Sequence, residues 1–296
     1  MTAEAQCAVR APSIPHIALP FTFIILWSSG YIGGAVGLKY AEPFTMTFLR
    51  FATAGLLLLV IAFATRAPWP SDWKKAGHIA MVGFLMQAVQ FGGLYSGMNN
   101  GVSAGVSALI VGLMPIFVAL GAGWILGERV NWHQWSGLLL GLLGVAVVVW
   151  HRIGAGGGFQ GVALVGLALF GITTGTLYQK KFCSGMDLRT GGFIQMMVGA
   201  AVMLWLATHM ETMHINWTPE FFASVGWLAV MNSIGAISLL FLMIHRGEAS
   251  RVASLFYLIP PMTAVMASFV LGEMPSAMTM FGFALAASGV YLSNKK

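Results

Sequence analysis

Ten apolar runs govern what this chain can become. They fall at about 17–38, 44–65, 76–97, 102–126, 132–150, 160–179, 190–208, 219–244, 251–271 and 275–293. Each holds about 20 residues, and a helix of that length spans the roughly 30 Å hydrocarbon core of a bilayer. Lipid offers a backbone N–H or C=O no partner, so every run is expected to be helical. Charged residues make up 8% of the sequence, against about 25% in a soluble domain. Such a chain cannot cover a water-facing surface. The connections are short and leave no room for a soluble domain. No small-residue cleavage site follows the first run, which is expected to stay as a helix.

The net charge of +6 does not point to nucleic acid, because of where the charges lie. With ten spans, both termini and alternate loops share one side. That side holds Arg10, Arg66, Lys74, Lys75, Arg129, Lys180, Lys181, Arg189, Arg246, Arg251, Lys295 and Lys296, while the other holds Lys39 and Arg152. This twelve-to-two split is the positive-inside pattern and predicts cytoplasmic N- and C-termini. The two cysteines, Cys7 and Cys183, imply no disulfide framework. No Cys/His cluster has zinc spacing, and no metal or cofactor is implied.

One phrase is written twice. MPIFVALGAGWILGE at 114–128 returns as IPPMTAVMASFVLGE at 259–273. At a single offset of 145, Ala108, Leu113, Pro115, Ala119, Ala122, Leu126, Gly127 and Glu128 recur as Ala253, Leu258, Pro260, Ala264, Ala267, Leu271, Gly272 and Glu273. The same offset carries Gly137 and Gly144 onto Gly282 and Gly289, and Ser28-Ser29-Gly30 onto Thr173-Thr174-Gly175. Two copies of five spans, an odd number, must insert in opposite directions. The expected fold is an all-α polytopic membrane protein. Its ten transmembrane helices form an inverted 5+5 repeat, residues 1–148 and 149–296, around a central cavity. Glu128 and Glu273 should then lie on opposite faces.

These residues resemble the EamA-type unit of the drug/metabolite transporter superfamily. The likeness is carried by Trp27-Ser28-Ser29-Gly30-Tyr31, by Pro43 before a second run opening FTMTFLRF with Arg50, and by a proline run ending in LGE before a Gly-rich run. It covers about 17–293. The second copy keeps LGE and the glycines but has Gln195 at the place of Arg50. The resemblance implies a ten-helix inverted repeat, and within the family the chain looks most like bacterial aromatic amino acid exporters. It also implies a place in the bacterial inner membrane.

Chemistry inside the runs is sparse. All nine acidic residues fall in tails, loops or helix ends, and the histidines lie at or near interfaces. Proton-coupled carriers often hold a carboxylate near the membrane centre; none is visible here. Arg50 is the one intramembrane charge. It either snorkels or bonds a neighbouring helix end, or it partners a substrate carboxylate.

Phe23, Trp27 and Tyr31 share a helix face. Trp27 at mid-helix stacks on substrate or packs as a core aromatic, and Trp227 is a second such candidate. Ser28, Thr174, Tyr178, Asn232 with Ser233, and the Gln87/Gln90 pair either line the cavity or bond other helices. Tyr257 is expected to point inward. Pro115, Pro260 and Pro261 remove backbone donors within spans and are candidate gates. The glycine-rich tenth run and its mate, the fifth, are polar-poor and suit outer packing or a dimer face.

These features favour a secondary transporter that exports small organic solutes, aromatic amino acids among them, by alternating access. A different cargo (a sugar, a drug cation or another metabolite) stays open. A cation carrier would show a buried acid, and an intramembrane enzyme would need buried ionisable groups that are absent. Expected partners are a small-molecule substrate and the lipid bilayer, with no nucleic acid and no fixed oligomeric state.

Overall fold

The computed structural model describes residues 18–126, 132–154, 159–239, 243 and 256–293. Among them every regular element is a helix: α1 (Ala18–Gly37), α2 (Pro43–Ala64), α3 (Trp73–Asn99), α4 (Ala104–Val111), α5 (Met114–Leu126), α6 (Trp132–Gly154), α7 (Phe159–Phe182), α8 (Leu188–Met210), α9 (Pro219–Leu239), α10 (Ile259–Val270) and α11 (Ala277–Ser293). Helix starts carry the expected chemistry. Asp72, Ser103, Asp187 and Thr218 accept backbone N–H bonds from the first turns of α3, α4, α8 and α9, satisfying donors that have no partner inside the helix. Pro43 and Pro219 open α2 and α9, where a missing N–H costs nothing.

Six described helices are individually long and apolar enough to cross a membrane, and four shorter apolar pieces occupy the remaining runs. Exposure is inverted relative to a soluble protein. Val60, Phe63, Phe170 and Phe269 face outward, while Arg50, Gln87, Gln90 and Tyr95 are buried. That is the distribution of a bundle whose solvent is lipid.

The fourth run is not a kinked helix. α4 stops at Val111, Gly112 and Leu113 form a turn, and α5 restarts with Pro115 in its first turn. Pro260 and Pro261 likewise sit in the first turn of α10, after a 3-10 turn at Phe256–Leu258. The expectation of prolines within continuous helices is thus corrected to helices broken just before them. A proline ring inside a helix would collide with the carbonyl four residues back, and the break removes that collision. Glu128 lies outside the described residues, so its place relative to Glu273 is not defined here.

Two of the helix pairs matched by the 145-residue offset, α2 with α8 and α6 with α11, pack against each other antiparallel. Along α2 and α8, Thr45 meets Glu211, Gly55 meets Met196 and Met197, Leu58 meets Gly192, and Pro68 just beyond α2 meets Thr190. α6 and α11 close even more tightly. A Cβ on Gly144 would sit 2.6 Å from the Gly282 carbonyl oxygen, and one on Gly289 would sit 2.5 Å from that of Gly137. Gly137 and Gly282 are mates, as are Gly144 and Gly289, so the same contact is made twice. The two polar-poor helices therefore pack on each other, using glycine to bring backbones together as membrane helices do.

Because the obstructing atoms are backbone, the contact cannot relax around a new side chain. Gly289→Val should destabilise the fold by about 1–3 kcal/mol, read as a lowered unfolding temperature in detergent. Gly166→Ala, with nothing within 4 Å of the added carbon, should leave that temperature unchanged.

Candidate functional site

The two helix breaks meet. One narrow hollow is lined by Trp27, Tyr31, Val111, Gly112, Met114 and Phe256, together with Ala108, Ile172 and Ile259. A second shares Gly112 and Phe256 and extends between Leu113, Pro260 and Pro261. α1 supplies the aromatic wall. Trp27 packs against Phe23 at 5.4 Å and edge-on to Phe256 at 5.3 Å. Ser28 Oγ donates to the Ile259 carbonyl at 3.4 Å, tying α1 to the first turn of α10. Among the described residues no acidic or basic side chain lines either hollow.

Arg50 sits elsewhere in the bundle, 2% exposed, as a cross-brace. Its Nε donates to Ser233 Oγ at 3.1 Å, Nη1 to Tyr95 Oη at 2.6 Å, and Nη2 to Asn232 Oδ1 at 2.6 Å. Its guanidinium carbon lies 4.3 Å from the Phe91 ring centroid, a cation–π distance. Tyr95 passes its hydroxyl proton toward the Gly30 carbonyl at 3.4 Å, and Asn232 Nδ2 donates to the Leu26 carbonyl at 3.1 Å. α1, α2, α3 and α9 are thereby joined through one cation. Among the described residues no carboxylate pairs with Arg50.

The close fit explains two glycines of α1. A Cβ on Gly30 would sit 2.5 Å from Asn232 Nδ2, and one on Gly34 would run into the Tyr95 ring. Tyr95 escaped the sequence reading because its role depends on α2 and α9, although its place in an apolar run two turns from Gln87 was a cue.

The remaining candidates disperse. Trp227 is 41% exposed and its indole N–H donates to Ser29 Oγ at 2.8 Å. Thr174 bonds back to the Phe170 carbonyl at 2.7 Å within its own helix. Tyr178 bonds His78 Nδ1 at 2.8 Å beside Phe182, toward the Lys180–Lys181 end of α7. Gln87 and Gln90 are buried on α3, and neither amide bonds another described residue. The side chain of Tyr257 lies outside what is described. The structure thus brings Trp27, Tyr31, Pro260 and Pro261 to the hollows, anchors Ser28 at their edge, and groups Arg50 with Asn232 in a separate cluster. Pro115 begins the half-helix whose preceding break lines them.

Sequence reading also missed a clasp. At one end of the bundle Glu211 accepts from Phe44 N–H (2.7 Å), Thr45 N–H (2.8 Å) and Thr45 Oγ1 (2.8 Å). Glu42 accepts from Thr212 N–H and Thr212 Oγ1, both at 2.8 Å. Asn216 N–H donates to the Tyr40 carbonyl at 2.9 Å beside the Ala41–Ile215 bridge. The mate of Glu42 is Asp187. It caps its own helix and pairs with Arg189 at 2.7 Å, and that guanidinium holds its carboxyl below the ordinary range. Across that opposite end the matched bond is Thr190 Oγ1 to the Pro68 carbonyl, 2.8 Å.

The model of the EamA-like transporter family matches this sequence twice, over residues 15–150 and 159–295. The chain belongs to that family. It is 28% identical to the uncharacterized transporter YvbV of Bacillus subtilis (92% of this chain, 89% of the relative). It is 24% identical to the uncharacterized inner membrane transporter YedA of Escherichia coli (94% and 92%). It is 27% identical to a probable terminal-alkyne amino-acid exporter of Streptantibioticus cattleyicolor (92% and 91%). A crystal structure at 19% identity matches 93% of the chain with a TM-score of 0.63, which shows the shared fold. As a member of the EamA-like family the chain is a multi-pass membrane transporter and not an enzyme.

A brace made of charge-assisted bonds should be sensitive to a single atom. Tyr95→Phe removes one acceptor from Arg50 and should cost about 1–2 kcal/mol of stability, measured by thermal unfolding in detergent. Phe91→Leu, which removes a ring face but no hydrogen bond, should cost less.

Proposed function

We propose that this transporter exports amino acids or closely related small zwitterions, aromatic ones included, across the bacterial inner membrane. It would do so by alternating access between two inverted five-helix copies. The observation that carries the reading is the hollow between the two broken helices. It is walled by Trp27, Tyr31 and Phe256 and, among the described residues, contains no charged side chain. A ring face there offers stacking to an aromatic cargo, while a permanently charged cargo would find no counter-ion.

Discontinuous helices meeting at a repeat interface are where secondary transporters hold substrate. The relative named as a probable amino-acid exporter supports the same class of cargo. The excess of basic residues on one set of loops supports cytoplasmic termini.

Alternating access requires that contacts at one end be exchanged for contacts at the other. The Glu42–Thr212 and Glu211–Thr45 bonds close the end where α2 starts, so in this reading they must part during each cycle. Trp27, Ser28, Tyr31 and Tyr257 are then cavity residues, Pro115, Pro260 and Pro261 mark the moving joints, and Arg50 holds the frame.

Counterflow in liposomes with labelled phenylalanine, glucose and a tetraalkylammonium tests the cargo. Phenylalanine should exchange and the other two should not. Exchange of the cation alone would overturn the reading. Trp27→Ala should reduce phenylalanine exchange about tenfold, the loss expected when stacking worth roughly 1–1.5 kcal/mol disappears. The amount of folded protein should not change.

A further inference from the structure

The hollow carries no charged side chain of its own among the described residues, but one lies behind its wall. Arg50 is the one charge within the apolar runs away from their ends, and it is buried. Its partners Ser233, Tyr95 and Asn232 and the ring of Phe91 are all neutral. They spread the charge without cancelling it. Glu211 is bonded to Phe44 and Thr45 at the start of α2, more than one turn along that helix from Arg50. It stands beside exposed Thr212, where water weakens its field. The middle of the bundle therefore keeps a positive charge.

That charge is held against α1, the helix that supplies the aromatic wall. Tyr95 and Asn232 bond the Gly30 and Leu26 carbonyls. Trp27 and Tyr31, each one residue further along, line the hollow. Successive residues of a helix point about 100° apart. The hollow and the guanidinium thus lie at about the same height on adjoining sides of α1, separated by roughly one helix width, about 10 Å. In this state the hollow has room for about one water, so its walls alone do not say what passes. A buried charge needs no contact to act. At about 10 Å and an effective dielectric of about 20, one unit charge changes the partition of another by about tenfold or more.

We infer that Arg50 is a charge filter as well as a brace. Its fixed positive charge turns cations away from the passage beside α1 and leaves that passage open to anionic and zwitterionic cargo. The inference rests on reading that passage as the cargo route, and it adds what sets the sign of the charge admitted. An arginine that excludes cations is an electrostatic barrier of the kind found in membrane pores. The second copy has Gln195 at the matched position, so the filter belongs to one half of the repeat.

The test is counterflow by the purified full chain in liposomes, each labelled probe against its own unlabelled pool so that no net charge moves. The probes are phenylalanine, 2-phenylethanesulfonate and trimethyl(2-phenylethyl)ammonium: a zwitterion, a permanent anion and a permanent cation, each carrying one benzene ring. Rates are taken over those of empty liposomes. In the wild type the anion should move at least about tenfold faster than the cation. That ratio should persist at about 0.5 M salt, which screens exposed loop charges far more than a buried one. Arg50→Gln should bring the ratio down about tenfold. Arg50→Lys keeps the charge, and Tyr95→Phe loosens the brace around it. Both should slow all three probes together and leave the ratio in place, which a purely structural role for Arg50 would not separate from Arg50→Gln.

Equal movement of cation and anion in the wild type would overturn the inference with no variant needed. A ratio abolished by salt would assign the discrimination to the basic loops and overturn it too. So would a ratio that survives Arg50→Gln in protein shown to be folded by its thermal unfolding. Discrimination between the two ions without phenylalanine counterflow would leave the filter standing and sink the amino-acid reading. Phenylalanine counterflow with both ions moving alike would do the reverse.

Discussion

Lipid answers no hydrogen bond, and that single constraint shapes this molecule. A backbone surrounded by hydrocarbon must satisfy itself, which enforces helix everywhere the chain meets lipid. Wherever the helix is interrupted, the interruption must face protein. The two breaks obey this. The turn at Gly112–Leu113 and the 3-10 turn at Phe256–Leu258 lie toward each other and share one hollow. Polar side chains follow the same rule: Arg50, Gln87, Gln90 and Thr263 are buried, while phenylalanine and leucine cover the outside.

The 145-residue recurrence in the sequence supplies the second organising feature, and the places where the two copies differ are informative. Several polar positions come in pairs 145 residues apart: Arg50 with Gln195, Gln87 with Asn232, Glu42 with Asp187, Thr45 with Thr190, Ser28 with Thr173. The first copy's Arg50 reaches across to Asn232. Among the described residues the equivalent crossing from Gln195 to Gln87 carries no such bond, and the Gln195 amide donates to the Met186 sulfur at 3.7 Å. Ser28 finds a carbonyl, whereas the Thr173 hydroxyl has no partner among the described residues. Both α3 and α9 widen to π turns, at Phe84–Val89 and Leu228–Ala236, at matched heights. The interface of α9 with α1 and α2 is braced by a cation. Its counterpart between α3, α7 and α8 is packed through methionine and close glycine contacts, with the buried Gln87 and Gln195 in place of the charged brace.

This explains how much the sequence could reveal. Spans and the all-helical class were readable, because period and composition are properties of one dimension. The prolines were readable as interruptions, but not the form they take, since kink and break differ only in where the preceding turn goes. The destination of Arg50 was not readable, because its three partners come from helices 45, 182 and 183 residues away. The same holds for Glu211, which caps a helix begun 168 residues earlier at Pro43. The offset held an unused clue. Gln87 and Asn232 were each noticeable as polar residues in apolar runs, and their being mates marks the height in the bundle at which the helices exchange polar bonds.

The asymmetry has a mechanical consequence. An inverted repeat with identical halves would have equal free energy facing either side, and no preferred resting state. Among the described residues, one end carries five short bonds to two carboxylates, and the other the Thr190–Pro68 and His78–Tyr178 bonds. The carboxylates stay near the water, where charge costs little, and take N–H groups from helix starts and loops that must find acceptors anyway. Separating that end exchanges these bonds for water, so its cost is a few kcal/mol and not the sum of five bond energies. In the alternating-access reading proposed above, the braced Arg50 cluster would keep α1, α2, α3 and α9 together, and the joints would fall at the proline breaks, where no continuous helix has to bend.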